Sequence, residues 1–239
     1  MSSDNGTDRN GDSTGDRTAT VSYDTVVFDN DGVLVVPPPR SSQLRATRRA
    51  FEAVGVSTVA DEHVGAIVDG IHPDELYALC AEYELDPETF WAKREHFDER
   101  SQVLEFEAGS RSTYDDVAIV PELSQTCGLV SNNHQSTVEF VLSHFGLQSA
   151  FDVCYGRPRT IESLAEKKPE PTFIDAALSA LEPENALYVG DSETDLIAAE
   201  RAGIDAAFLR RDHRAETELS VEPTYELADL YELQALLEN

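Results

Sequence analysis

Short apolar runs alternate with longer amphipathic stretches from about residue 24 onward. Thr25–Phe28 (TVVF), 127–130 (CGLV), 151–155, Ala186–189 (ALYV) and 206–209 have the length and β-branched or aromatic content of buried strands. Between them lie helical patterns. Residues 41–55 carry Leu44, Thr47, Ala50, Phe51 and Val54 on one face and stop at Gly55, and two further helices are predicted over about 72–84 and 87–104. Residues 135–145 place Val138, Val141, Leu142 and Phe145 together, closed by Gly146. Helices are also expected over 171–182, 193–202 (with Gly203 as its stop) and 225–237, and 206–209 is read as the last strand.

Strands separated by helices of this length predict βαβ units and a parallel sheet, an α/β fold of Rossmann-like type. Residues 38–110 contain no strong strand, so they read as an inserted α-helical subdomain. VPPPR (36–40) and EAGSRS (107–112) are its linkers. That divides the chain into a core of 21–37 and 111–239 and a helical insertion of 38–110. Residues 1–20, almost devoid of apolar side chains, read as a disordered tail.

Composition narrows the picture. The chain has 239 residues and a formal net charge of −28, which disfavours nucleic acid as a partner. Lysine occurs only at 93, 167 and 168; every other basic residue is arginine. An acidic, lysine-poor surface suits a halophilic protein, because in molar salt the Debye length shrinks to roughly 3 Å and like charges are screened. No apolar run reaches membrane-spanning length, and the N-terminus lacks a signal peptide, so a cytoplasmic location is expected. Cys80, Cys127 and Cys154 form no metal or disulfide pattern and read as free thiols, with Cys127 and Cys154 buried in strands. Oligomeric state cannot be read from the sequence.

In parallel sheets ligands gather at the carboxyl ends of the strands. Three such ends are rich in polar groups: Asp29-Asn30-Asp31, Ser131-Asn132-Asn133, and Gly190-Asp191-Ser192. Asp29 and Asp31 would point to the same side in extended chain, where two carboxylates share a proton or a cation. Gly32 lets the backbone turn, and a hard oxygen-seeking ion such as Mg²⁺ suits the group. Asp191 can complete a metal site, and Asp195 shares its helix face. Ser131 and nearby backbone N–H groups offer a phosphate cradle. EKKPEP (166–171) holds the chain's one lysine pair. Either Lys167 or Lys168 could meet an anion there, and the K-P-x-P context favours Lys168.

FDNDGVL (28–34), LVSNN (129–133), KKPEP (167–171) and YVGDSETDLIAAERAGI (188–204), in that order and with an insertion after the first, resemble the haloacid dehalogenase-like hydrolase superfamily. The likeness spans about residues 24–210 and is closest to phosphoglycolate phosphatase-like members with a helical cap. It implies Asp29 as nucleophile and Asp31 as general acid and base. It implies Mg²⁺ held by the Asp29 side chain, the Asp31 main-chain carbonyl and Asp191, with Asp195 supporting. Ser131, the backbone at Asn132, and Lys168 would hold the phosphoryl group of a small phosphorylated metabolite, and residues 38–110 would close over it. Asn30 replaces the usual apolar residue between the aspartates and Val33 a commoner threonine; neither touches the implied mechanism.

The expected activity is therefore a Mg²⁺-dependent phosphatase of small monoesters. A phosphomutase of the same superfamily, or a non-catalytic binding relative, are the alternatives. Dehalogenation is disfavoured by the presence of Asp31. Asn133 and His134 read equally as substrate contacts or as loop and cap residues. Arg40, Arg45, Arg48 and Arg49 read as a solvated ion-paired face, and Trp91 with Phe90 and Phe97 as apolar core of the insertion.

Overall fold

The computed structural model describes residues 22–238; the predicted N-terminal tail lies outside them. Six strands form one parallel sheet: β1 (Thr25–Phe28), β2 (Thr126–His134), β3 (Val153–Arg157), β4 (Ala186–Gly190), β5 (Asp205–Leu209) and β6 (Tyr225–Leu227), in the order β3-β2-β1-β4-β5-β6. β1 lies between β2 and β4, with Val27 opposite both Gly128 and Tyr188. All of β1 is buried, so successive residues feed opposite layers. Val26 and Phe28 join Leu129, Leu187 and Val189 in one apolar cluster, together with Val138 and Leu142 of α5 (Gln135–Phe145). Val27 joins Val130, Tyr188 and Phe208 in the other, against Ile174 of α6 (Thr172–Leu181) and Leu196 of α7 (Glu193–Ala202).

Helices α1 (Arg40–Ala53), α2 (Asp61–Gly70), α3 (Pro73–Glu82) and α4 (Pro87–Glu107) connect β1 to β2. They gather around their own cluster of Phe51, Leu76, Phe90 and Trp91, which Ile161 and Leu164 join from the segment after β3. Trp91, Phe90 and Phe97 are thus apolar core of this helical group, as expected. Arg40 pairs with Asp69 and Arg48 with Asp61, both exposed, as a solvated face should.

The structure departs from the sequence pattern at α2, at the end of β2 and at residues 225–237. α2 was not anticipated, because Gly65 and four charged or polar positions leave only Val64 and Ile67 buried. β2 runs to His134 rather than ending at 130, with an irregularity against β3 between Val130 and His134. The 225–237 helix divides: Tyr225–Leu227 pairs with β5, and only Leu230–Leu237 is helical (α8). The signal was Asp229, whose side chain caps α8 by accepting from Glu232 N. β5 is consequently not the last strand.

One buried ion cluster ties α4 to the sheet. Glu95, fully buried, accepts from Arg94 (3.0 Å), from Arg157 at the end of β3 (2.8 Å) and lies 2.9 Å from His134 Nε2. Burial opposes its charge, but the His134 hydrogen bond and the two arginines outweigh it and bring its pKa down from 4.5 to about 2. A carboxylate depressed in this way adds stability above its unfolded pKa and loses it as pH falls through the folded one. Glu95→Gln is expected to cost about 3 kcal/mol at neutral pH. In denaturant titrations the gap between wild type and variant should shrink from about pH 4.5 down to about pH 2; a pH-independent gap would refute the ionic account.

Candidate active site

The strand order reverses direction at β1, so the carboxyl ends of β1 and β4 flank the crevice where a doubly wound sheet binds ligands. Asp29 follows β1 there and Asp191 follows β4, both buried. Two glycines permit the approach. Gly32 has φ +88°, and a Cβ on it would fall 2.3 Å from Asp191 Oδ2. A Cβ on Gly190 would fall 2.3 Å from the Cβ of Asp195. Any larger residue at either place would push the carboxylates apart.

Lys168 stands at the centre. Its ammonium lies 2.9 Å from Asp29 Oδ1 and 2.6 Å from Asp195 Oδ1, and donates to Tyr188 Oη at 2.8 Å. Burial alone would lower the Lys168 pKa; the Asp195 and Asp29 carboxylates reverse that and hold it well above its ordinary value. Burial pushes Asp29 well above the usual carboxylate range, Asp195 and Asp191 add to the rise, and Lys168 opposes it. Asn132 fixes the lysine's backbone: its Oδ1 accepts from Lys168 N (2.8 Å) and its Nδ2 donates to Lys168 O (3.2 Å). Asp195 also closes a capping box, accepting from Ser192 N at 3.0 Å.

The sequence-predicted residues therefore converge, with local differences. Lys168 meets Asp29, whereas Lys167 does not. Asn132 contributes its side chain to hold Lys168. Ser131 is buried in β2, four residues before α5 rather than at the helix start, and its Oγ accepts from Asn133 N (3.1 Å). Asp31 is the least buried of the four aspartates Asp29, Asp31, Asp191 and Asp195. Arg111 reaches its Oδ1 at 2.5 Å and Asn133 Nδ2 its Oδ2 at 2.8 Å, with Gln102 bridging the two. Asn133 thus holds the Asp31 carboxylate, a role neither of its two readings had named. His134 lies buried against Glu95.

Arg111, Gln102, Tyr188, His213 and Arg214 were not anticipated. Arg111 sits in EAGSRS, read only as a linker. His213 Nε2 (2.7 Å) and Arg214 Nε (3.0 Å) both meet Asp191 Oδ2. Burial would raise Asp191, but these two partners bring it below its ordinary value. They occupy the turn after β5, a strand end that the same carboxyl-edge rule would have included.

The group suits a hard divalent cation. Asp29, Asp191 and Asp195 each offer an oxygen, all within 4.8 Å of one another. Asp29 Oδ1 is buried with an ammonium nearby but no aligned hydrogen-bond donor. All-oxygen donors with an unfilled lone pair are what Mg²⁺ takes. His213 and Arg214 both bind Oδ2 of Asp191, leaving Oδ1 outside that pairing.

The profile of the family "haloacid dehalogenase-like hydrolase" matches residues 26–209, and the chain belongs to that family. Phosphoglycolate phosphatase of Cereibacter sphaeroides is 40% identical over 87 residues, which cover 36% of this chain and 38% of that protein. A 5'-nucleotidase of Pseudomonas aeruginosa is 25% identical over 235 residues, covering 93% and 99%. Among solved structures, CbbY from Rhodobacter sphaeroides with phosphate superimposes with a TM-score of 0.68 at 22% identity, covering 91% of this chain and all of that one, which establishes the shared fold.

Asn30, between the two aspartates, is fully buried, and neither polar atom of its side chain has a hydrogen-bond partner among the described residues. A buried amide left unpaired costs about 1–3 kcal/mol. Asn30→Leu, which keeps the number and branching of the side-chain heavy atoms, is expected to raise unfolding stability by about 1 kcal/mol and to leave turnover unchanged. Chemical denaturation beside an activity assay checks both; a destabilised variant would mean that the amide has a partner in solution.

Proposed function

We propose that this chain is a Mg²⁺-dependent phosphatase of small phosphate monoesters, working through a phosphoryl group carried on Asp29. The observation that supports it most is the buried Asp29 carboxylate at the switch point, with the Lys168 ammonium 2.9 Å away and Asp191 beside it. Such a carboxylate is shielded from water, oriented, and next to fixed positive charge. These are the conditions for nucleophilic attack on an anionic phosphorus centre.

In this reading Asp29 attacks phosphorus while the bond to the leaving alcohol oxygen breaks, and Asp31 gives that oxygen a proton. Water then attacks the acyl phosphate; Asp31 takes its proton, and phosphate and a free Asp29 carboxylate result. Arg111 and Asn133 fix the direction of the Asp31 carboxylate. Lys168 and the Ser131–Asn132 segment hold the equatorial phosphoryl oxygens. Mg²⁺, held by Asp29, the Asp31 carbonyl and Asp191 with Asp195 in support, would neutralise charge on the transferring group.

Residues 38–110 act as the cap, supported by the separate core of α1–α4 and by Gln102 of α4 reaching Asn133 and Arg111. A cavity of about 330 Å³ lies between this group and the sheet, lined by Asp31, Trp91 and Asn133 among others. That size suits a small metabolite, and the match to phosphoglycolate phosphatases makes phosphoglycolate the first substrate to try.

A panel of phosphate esters in molar KCl, the salt that the acidic lysine-poor chain favours, tests the reading. Turnover should need Mg²⁺ and fall about a thousandfold or more in Asp29→Asn and in Asp31→Asn. Metal-independent turnover, or full activity in Asp29→Asn, would refute it. Phosphoryl transfer to sugar hydroxyls in preference to water would instead make the chain a phosphomutase.

A further inference from the structure

The lysine pair divides between two places. Lys168 is spent on Asp29 and Asp195, but the Lys167 ammonium turns the other way. It has neither an ion pair nor a hydrogen bond among the described residues. It lines the same cavity as Asp31, close enough to α2 that a Cβ on Gly70 would lie 3.7 Å from its Nζ. Arg94 of α4 and Arg157 after β3 line that cavity too. Both arginines are more than nine-tenths buried, and the Nε–H of each has no acceptor among the described residues. Burial and the two neighbouring arginines push Lys167 down to about 8, the mark of a cation held among cations.

The charges do not balance. Around this part of the cavity stand Arg94, Arg157 and Lys167, against Glu95 and Asp98. Asp31 is already matched by Arg111. A surplus half-buried cation and two unused, buried N–H donors thus stand at the cavity wall of a chain whose net charge is −28. Burying an unpaired charge is costly, and a bound anion would remove the cost. The backbone link from Lys168, at the proposed phosphoryl site, to Lys167 places this second positive group one residue away from the first.

We propose that Lys167, with the Nε–H groups of Arg94 and Arg157, forms a second anion subsite, so that the substrate is a small phosphate ester carrying a further carboxylate or phosphate. This deepens the phosphatase reading and, as a statement about substrate, rests on it. Lys168 and its surroundings take the phosphoryl group that is transferred; Lys167 takes the anion that stays. A neutral ester of the same size leaves the surplus charge unpaired and binds more weakly.

Calorimetric binding of unreactive phosphonates separates the subsite from the chemistry. Phosphonoacetate carries a carboxylate as its second anion, propylene bisphosphonate a second phosphonate, and propylphosphonate neither. In excess Mg²⁺ the wild type should bind at least one of the first two about tenfold or more tighter than propylphosphonate. Which of the two binds tighter identifies the second group as carboxylate or phosphate. Lys167→Met should abolish that preference while leaving propylphosphonate binding unchanged and without lowering the unfolding midpoint, and Lys167→Arg should restore most of it. Equal binding of all three probes by wild type, a preference that survives in Lys167→Met, or a loss that falls equally on all three would overturn the subsite. Hydrolysis of phosphoglycolate and of hydroxyethyl phosphate is measured alongside. A preference that depends on Lys167, with neither ester hydrolysed, would leave the subsite standing and refute the phosphatase reading alone.

Discussion

The end of the sheet can hold its carboxylates because one ammonium is buried among them. Lys168 touches Asp29 and Asp195 and donates to Tyr188. Removing one partner from such a buried group leaves an uncompensated charge and typically costs about 3–5 kcal/mol. Three structural choices serve this contact. Asn132 clamps the lysine's backbone from β2, and the Tyr188 hydroxyl comes up from β4. Gly190, bare of a side chain, lets α7 bring Asp195 close. Asp191, which Lys168 does not reach, is balanced separately by His213 and Arg214 from the turn after β5.

The same cation economy extends into the helical group. Glu95 balances Arg94 and Arg157 and thereby joins α4 to β3. Arg111, at the far end of α4's connection, balances Asp31 and donates to Val36 O, so that both crossings between helices and sheet share one ion pair. Asp31 is consequently set by residues of both parts of the chain. Movement of the helices relative to the sheet would alter its partners directly. Among the described residues of that arrangement, Lys167 is the cation without an ion pair.

The fold was legible because a parallel sheet buried on both faces writes itself as short apolar runs, and five of six strands were found that way. β6 was missed for its length: three residues cannot outweigh the helical pattern that follows them. α2 was missed because only two of its residues face the core. At the candidate site, Asp29, Asp31, Lys168, Asp191 and Asp195 were legible from their positions at strand and helix boundaries, whereas Asn132 was expected for its backbone and its side chain instead clamps Lys168. Arg111, Gln102 and Arg94 were not. Arg111 meets Asp31 and Gln102 meets Asn133 from far off in sequence, and no spacing rule joins residue 111 to residue 31; Arg94 pairs with Glu95 and Asp98 of its own helix and reads like an ordinary helix-surface ion pair. His213 and Arg214 were within reach, since they follow a strand that had been recognised. The lysine pair was noticed as a compositional oddity, but only the structure shows its members facing different ways.

The claim on which the functional account turns is that Asp29 carries the phosphoryl group. Rapid acid quench during turnover of a small phosphate ester with Mg²⁺, followed by proteolysis and mass spectrometry, tests it directly. The account predicts one added phosphoryl mass on the peptide containing Asp29, lost on treatment with hydroxylamine and absent from Asp29→Asn. Turnover with no covalent phosphoryl group at any quench time, or with the group on another residue, would contradict it.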